Sequence, residues 1–481
     1  MKLSSDNSYV HLYGRHKGVT GSCFLGSGHF PDKNNVRFLV DCGSFQGSDN
    51  LGYLDLNDVI PFDTQKIDFV LITHNHIDHI GLLPLLVKQG YKGPIYITKP
   101  GYGLIDIPLN EAWKVNCKGR VNPSYEIDDV NSVLNQLRGV SFNQKIFPKK
   151  NVEVTFFKNG HLVGSSMIEV KFTYPNEKDI RLLFTGDYHY KNLFFDVGKI
   201  PVENRKNPYS LVVCEATYGN MDSFDERCKP TLIKTVSEAI KNGKKVILPT
   251  FAMGRTQEIA YYIKYMQEQE LISKDVEIWQ GGTSAREITH RFKYNNLGFK
   301  PEMKNFLPEN FHFIPSKDRN RICESLLNST KPCIVISPSG MASYGAVKTF
   351  VNKAISQDDV LIMFPGHCSK DSKGYELIST SLGEEIEYGD YTQVRNCEIA
   401  TTGEISAHAK RDELLALLKS MQEPKSILIN HGEEDVKLDF CNYLKDEFSD
   451  KTRIEVFEPD YGYAVNANGI FDVFPSSFQL F

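Results

Sequence analysis

The sequence predicts an α/β protein in which one α/β domain is inserted into another. Three observations lead there. The first part is rich in strand signals, the middle part alternates compact apolar runs with helical patterns, and strand-like runs return near the end.

In the first part, the runs VRFLVDCG, IDFVLITH, GPIYIT, VEVTFF and IRLLFTGD are β-branched and aromatic, and clusters of Gly, Asn and Lys separate them, as turns separate strands. Helical stretches interrupt them at Gly81–Lys88 and Asp128–Leu137. From about residue 206 the texture changes: LVVCEATYG, KVILPTFAMG, VEIWQGG, CIVISPSGM and VLIMFPG each read as a strand buried on both faces and ending in a small-residue loop. Helical patterns such as TQEIAYYIKYMQEQE lie between several of them, the alternation of a parallel sheet with crossover helices. After about residue 395, SILINHG and RIEVFEP are again strand-like. We therefore expect an outer domain from residues 1–205 and 395–481, and an inserted domain over 206–394.

The bulk numbers narrow the class. The chain has 481 residues, ample for two or more domains, with 41% hydrophobic and 24% charged residues, ordinary for a soluble globular protein. Its net charge of −5 excludes a globally basic nucleic-acid binder, so a polyanion would have to meet a local groove or a metal site. The first residues lack the apolar core of a secretory signal, and no apolar run is long enough to span a membrane. Ten scattered cysteines without a CxxC pair suggest reduced thiols in a cytoplasmic enzyme.

The chemistry is concentrated in THNHIDHIG, which places His74, His76, Asp78 and His79 between an apolar strand and a helix-like segment. Alternate side chains of an extended segment share a face, so His74 and His76 can bind one ion together, while Asp78 and His79 at the turn can face a second. Neutral imidazoles and carboxylates suit zinc or manganese. Further candidates stand at strand ends beside a glycine, where a side chain can approach a metal: His161 could complete the first ion, Asp187 could bridge the two, and His431 could complete the second. Asp41, in FLVDCG, fits an acid that orients an imidazole through its other ring nitrogen. Two ions about 3.5–4 Å apart would hold a bridging hydroxide for an in-line displacement at phosphorus. The leaving oxygen then needs a proton, for which His408 in GEISAHAKRDEL is a candidate, held charged by a carboxylate such as Glu215.

The stretches GVTGSCFLG, LVDCGSFQG, THNHIDHIGLLP, NGHLVGSS, FTGDY, CEATYGN, LPTFAMGRTQE, ISPSGM, ISAHAKRDEL and NHGEED, in this order, resemble the β-CASP branch of the metallo-β-lactamase superfamily. The resemblance covers nearly the whole chain and is strongest to bacterial and archaeal β-CASP ribonucleases, with ribonuclease J and the eukaryotic pre-mRNA 3′-end processing endonuclease further off. It implies an αββα metallo-β-lactamase sandwich with an inserted β-CASP domain. It implies one metal on His74, His76 and His161, the other on Asp78, His79 and His431, and Asp187 between them, with zinc the first choice and manganese the second. Asp41 would be the buried acid of the first motif, and Glu215 would support His408 as general acid, so that Asp78, Asp187, Glu215 and His408 carry the catalytic roles. A histidine at the position of His431 goes with RNA-cutting rather than DNA-cutting members.

The implied activity is hydrolysis of RNA phosphodiester bonds. We expect single-stranded RNA in the cleft between the domains, no membrane partner, and a chain compatible with a homodimer. Because the chain ends soon after NHGEEDVK, an endonuclease is expected ahead of a 5′-exoribonuclease. Among the small-residue loops, ISPSGM is the candidate phosphate holder through Ser337, Ser339 and Gly340, with Arg255 as either a phosphate contact or a structural ion pair. The run Lys241–Lys245 reads as a solvated helix end. The chain departs from the family at WQGGTSARE and PGHCSKDSKGYE, where His367 and Cys368 are weaker candidates for RNA contact. A DNA nuclease, a small-molecule metallo-hydrolase and an inactive RNA-binding scaffold are the alternatives. A small-molecule enzyme leaves the insertion unexplained, and a scaffold leaves the full ligand set unexplained.

Overall fold

Side chains of a strand alternate between its two faces, so a strand that is apolar throughout must serve two cores at once. Val36–Val40 does this: Phe38 and Val40 face one apolar cluster and Leu39 another. A computed structural model shows how, describing residues 8–15, 18–31, 35–46, 56–118, 122–223, 230–366 and 368–476. The chain divides into two compact units, Met1–Ser223 with Ala407–Phe481, and Phe224–Ser406.

The first unit holds two sheets. One has eight strands, in the order Gly469–Pro475, Tyr461–Asn466, Tyr9–Gly14, Phe24–His29, Val36–Val40, Phe69–Leu71, Ile95–Thr98 and Leu137–Val140. The other has seven, in the order Arg453–Val456, Ser426–Asn430, Leu211–Glu215, Ile180–Phe184, Ser166–Phe172, Val152–Lys158 and Lys145–Lys149. Their facing sides share one core, in which Phe38, Val40, Phe69 and Leu71 meet Phe156, Val170, Leu182 and Val213. The outer face of the larger sheet packs Leu39, Val70 and Ile97 on helices Leu83–Lys88, Asp106–Cys117 and Ile127–Gln136. The outer face of the smaller packs Val212, Ile427 and Ile429 on helices Arg411–Lys419 and Glu434–Glu447. Four layers, αββα, result. Each fully buried Leu or Phe contributes about 1.5–3 kcal/mol, so the three cores hold the strand ends firmly in place.

The second unit is a six-stranded sheet in the order Phe311–Phe313, Glu277–Gln280, Cys333–Ser337, Lys245–Pro249, Val360–Phe364 and Glu398–Thr401, every pair parallel. A two-stranded ribbon, Glu385–Tyr388 with Tyr391–Val394, accompanies it.

Two details differ from the sequence reading. The run LVVCE, read as the first strand of the insertion, pairs instead with Ile180–Phe184 and Ser426–Asn430 in the first unit, so the insertion begins near residue 224 and ends near 406. A parallel strand buried on both faces has the same apolar texture in either sheet, and its sequence cannot say which one it joins. Lys245 is not at a solvated helix end: the helix Pro230–Lys241 stops before it, and Lys245 opens a strand, buried, with its ammonium paired to Asp359. Among the described residues, no helix is long and apolar enough to cross a membrane, and the cysteines are unpaired and mostly buried.

Candidate metal centre

Strands that run the same way bring their carboxyl ends to one edge of a sandwich. Asp41 follows Val36–Val40, His74 follows Phe69–Leu71, His161 follows Val152–Lys158, Asp187 follows Ile180–Phe184, Glu215 ends Leu211–Glu215, and His431 follows Ser426–Asn430. The short helix Ile77–Ile80 adds Asp78 and His79. It can sit so close because residue 43 is glycine: a Cβ there would lie 1.5 Å from the Asp78 carbonyl oxygen. The first unit thus gathers His74, His76, His161 and Asp187 in one donor set, and Asp78, His79, Asp187 and His431 in a second, with the donor atoms of each set within 4.8 Å of one another.

Four imidazoles are held by the ring nitrogen that faces away from the centre. His74 Nδ1 lies 3.0 Å from Thr73 Oγ1, His79 Nδ1 2.7 Å from Asp41 Oδ2, His161 Nδ1 2.8 Å from the Ala407 carbonyl, and His431 Nδ1 3.0 Å from Thr217 Oγ1. In the tautomer that donates outward through Nδ1–H, each ring keeps its Nε2 lone pair for a cation at the centre. Asp41, buried in the left-handed backbone region at φ 61°, also accepts from the Thr73 amide at 2.8 Å and hydroxyl at 2.7 Å. Thr73 donates its hydroxyl to Asp41 and accepts from His74, so one side chain serves both donor sets.

Asp187 stands between the sets. Its Oδ2 is 3.5 Å from both His74 Nε2 and His161 Nε2, and its Oδ1 is 3.3 Å from His79 Nε2 and 3.4 Å from His431 Nε2. Asp78 Oδ2 closes the second set at 3.8 Å from His79 Nε2 and 3.6 Å from His431 Nε2. Asn159 donates to the Asp187 carbonyl at 2.8 Å and the Thr185 carbonyl at 3.1 Å, fixing that turn.

The electrostatics match a cation site. Burial, with neighbouring imidazoles adding to it, holds His74 and His161 well below the ordinary histidine range and brings His76 to about 4, so these rings stay neutral and keep their lone pairs. Burial alone would raise the Asp187 carboxyl, yet His431, His79 and His74 pull it well below its usual value. Burial would lower His79, yet Asp187 and Asp41 raise it well above its ordinary value, which marks a place between carboxylates that favours positive charge. His74 Nε2, His79 Nε2, His431 Nε2 and Asp187 Oδ1 are buried with no hydrogen-bond partner among the described residues. An unpartnered buried polar atom costs about 1–3 kcal/mol, and four of them converging on one spot are satisfied together by divalent metal. The donor chemistry fits such a centre.

Beside it, His408 Nδ1 lies 2.8 Å from Glu215 Oε2, and His408 Nε2 3.9 Å from Asp187 Oδ2. Glu215 is buried, and its other oxygen accepts from the Tyr188 amide. Spacing alone does not show this pairing, since the partners are 193 residues apart.

The residues read as phosphate contacts belong to the second unit. Ser337 is fully buried and ends a strand. Ser339 directs its amide, at 3.3 Å, and its hydroxyl, at 3.0 Å, to the carbonyl of Tyr344, and Gly340 lies against Phe251. Arg255 opens the helix Arg255–Glu268 and pairs with Glu258 one turn on. Cys368 is buried, and His367 lies outside the described residues. The sequence reading missed Thr73, Asn159 and Thr217. Each lies inside one of the quoted motifs, but nothing local shows which way its side chain points.

Comparison with known proteins agrees with this architecture. The chain matches the metallo-beta-lactamase superfamily domain over residues 32–193, the Beta-Casp domain over 256–377, and the Zn-dependent metallo-hydrolase RNA specificity domain over 393–458. It is 29% identical to the transcription termination factor FttA of Methanosarcina mazei over 92% of this chain and 70% of that protein. It is 28% identical to ribonuclease TTHA0252 of Thermus thermophilus, over 88% of this chain and 93% of that one. Integrator complex subunit 11 of Danio rerio is 26% identical over 93% of this chain and 72% of its own length. With the three domains in order along the chain and relatives aligned across nearly all of it, this protein belongs to the β-CASP branch of the metallo-β-lactamase superfamily of hydrolases.

Proposed function

We propose that the chain is a ribonuclease that holds two zinc ions and cuts single-stranded RNA internally. The observation that carries this reading is the division of Asp187, with one carboxylate oxygen toward His74 and His161 and the other toward His79 and His431. His74, His76 and His161 would hold one ion, Asp78, His79 and His431 the other, and Asp187 both. Bound there, the metals would supply Lewis acidity, lowering the pKa of a water and stabilising charge on phosphoryl oxygens.

The chain's own groups do the rest. Burial alone would lower the His408 pKa, but the Glu215 carboxylate, with Asp187 and Asp78 beyond it, raises it to about 9. The ring is charged at neutral pH, and its Nε2 carries a proton at the rim of the donor sets, where a leaving oxygen can take it. Glu215 orients that ring and stabilises its charge. Zinc is favoured because the set is rich in imidazole, and the matched C-terminal domain is described as Zn-dependent. RNA is favoured by that same domain's description and by the ribonuclease among the relatives. Internal cutting is the mode proposed ahead of 5′-exonucleolytic release; Ser337 and Ser339, read from the sequence as general phosphate holders, are buried or engaged within their own loop. Unpaired cysteines suit a reducing compartment such as the cytoplasm.

The test is a cleavage assay on single-stranded RNA and its DNA counterpart, labelled at the 5′ end in one set and internally in the other. Internal RNA fragments are expected. Release of 5′ mononucleotides would replace the endonuclease with an exonuclease, and cutting of DNA alone would overturn the choice of substrate.

A further inference from the structure

The turn that follows Asp187 reads Tyr188-His189-Tyr190-Lys191. It is fastened to the metal centre at several points. The His189 carbonyl accepts from the Gly160 amide at 2.7 Å, and Asn192 Nδ2 donates to the Gly160 carbonyl at 2.8 Å, immediately before His161. The Tyr188 carbonyl accepts from the Ala409 amide at 2.7 Å, immediately after His408. The contact with residue 160 requires glycine, because a Cβ there would lie 2.2 Å from the Lys191 carbonyl oxygen.

On this rigid base the side chains divide sharply. His189 is buried, and Tyr190 is 44% exposed. Their rings are nearly parallel, 15° apart with centroids at 5.0 Å, so the inner face of Tyr190 is backed by the imidazole. The Lys191 ammonium lies 4.9 Å from the centre of the Tyr190 ring. A flat aromatic ring backed on one face, with a long flexible lysine over the ring whose ammonium an incoming phosphate can draw off, is the equipment that binds a nucleobase and its phosphate in sequence-tolerant single-strand recognition. Three residues of chain place Tyr190 Cα within about 11 Å of Asp187 Cα, the reach of a base beside the scissile phosphate.

We propose that Tyr190, backed by His189 and covered by the displaceable side chain of Lys191, is a stacking platform for a nucleobase next to the cut, and so a determinant of how an RNA strand is positioned over the metal centre. The inference rests on the ribonuclease reading above and deepens it. Tyr190 takes no part in bond breaking, and base stacking through a π-face sets no strong sequence preference.

The experiment uses a short single-stranded RNA with one mapped cleavage site and a series in which one nucleotide at a time is replaced by an abasic ribose. It compares kcat/KM for the wild type, Tyr190→Ala and Tyr190→Phe. Tyr190→Ala should lower kcat/KM on the intact RNA about tenfold, and Tyr190→Phe, which keeps the aromatic face, should restore it. One abasic position beside the cut should cost the wild type about tenfold and cost Tyr190→Ala less than twofold more, because the lost contact is the same one. Penalties that simply multiply at every position would overturn the platform while leaving the ribonuclease intact. A wild type that cuts no RNA would overturn both.

Discussion

Asp41 supplies no donor atom to either set, yet Asp41→Asn should weaken half of the metal centre. The carboxylate accepts three hydrogen bonds, from the Thr73 amide and hydroxyl and from His79 Nδ1. Asparagine has the same shape and tolerates the left-handed backbone at φ 61°, so the turn should persist. Its Oδ1 can still accept from the Thr73 amide, which leaves its NH2 facing His79 Nδ1. Two donors cannot face each other, so His79 must move its proton to Nε2 and present an N–H where a lone pair is needed. Loss of an orienting partner of this kind costs about 10–100-fold in metal affinity, or about 1.4–2.7 kcal/mol. The loss should fall on the ion of the Asp78, His79 and His431 set. The assay is a zinc titration against a chromophoric chelator, with circular dichroism to confirm the fold: one site at wild-type affinity and one weakened by that factor are expected. Two sites at wild-type affinity in a folded Asp41→Asn protein would refute the argument that Asp41 sets the His79 tautomer.

Other perturbations separate the remaining roles. Asp187→Ala should lose both ions and all metal-dependent cleavage, whereas His76→Ala should abolish cleavage while weakening chiefly the ion of the His74 and His161 set; metal analysis beside the cleavage rate distinguishes them. His408→Ala should slow RNA cleavage about 10²–10⁴-fold, the usual worth of a positioned acid, with metal content unchanged; loss of metal in that variant would make His408 a ligand. Far from the centre, burial brings His11 and His29 to about 4, with mutual repulsion and Arg37 adding to it and Asp472 partly opposing it for His11. Both rings are neutral in the fold and gain protons more readily when unfolded, so stability should be whole above about pH 6.5 and fall as pH drops toward 4, by about 2 kcal/mol for the partly exposed pair after solvent screening. Denaturant unfolding of His11→Phe at pH 7.5 and pH 5 should show a smaller loss than wild type, since neither His11 ring nitrogen has a partner to lose.

What was legible in the sequence follows from where the information is stored. His74, His76, Asp78 and His79 are contiguous, and strand and turn geometry alone brings them to one place. His161, Asp187 and His431 are single residues, legible through a shared context of an apolar strand before them and a glycine beside them. The orientation of His161 and His431 was not legible, because Ala407 and Thr217 fix it by contacts that exist only once the sheets have formed. Asp41 and His431 both take positive φ without being glycine, which no local pattern announces. The strand Leu211–Glu215 was legible as a strand, but its sheet is decided by its neighbours. Ser337 and Ser339 looked available in the sequence, but the fold buries the first and ties the second to Tyr344.

The most direct test of the account measures metal and activity on one sample. The protein is stripped by chelator, zinc is returned in known amounts, and RNA cleavage is followed at each step. The account predicts no cleavage by the stripped protein and full recovery only as the second equivalent of zinc binds. Cleavage that survives complete removal of metal, or that is fully restored by a single ion per chain, would contradict it.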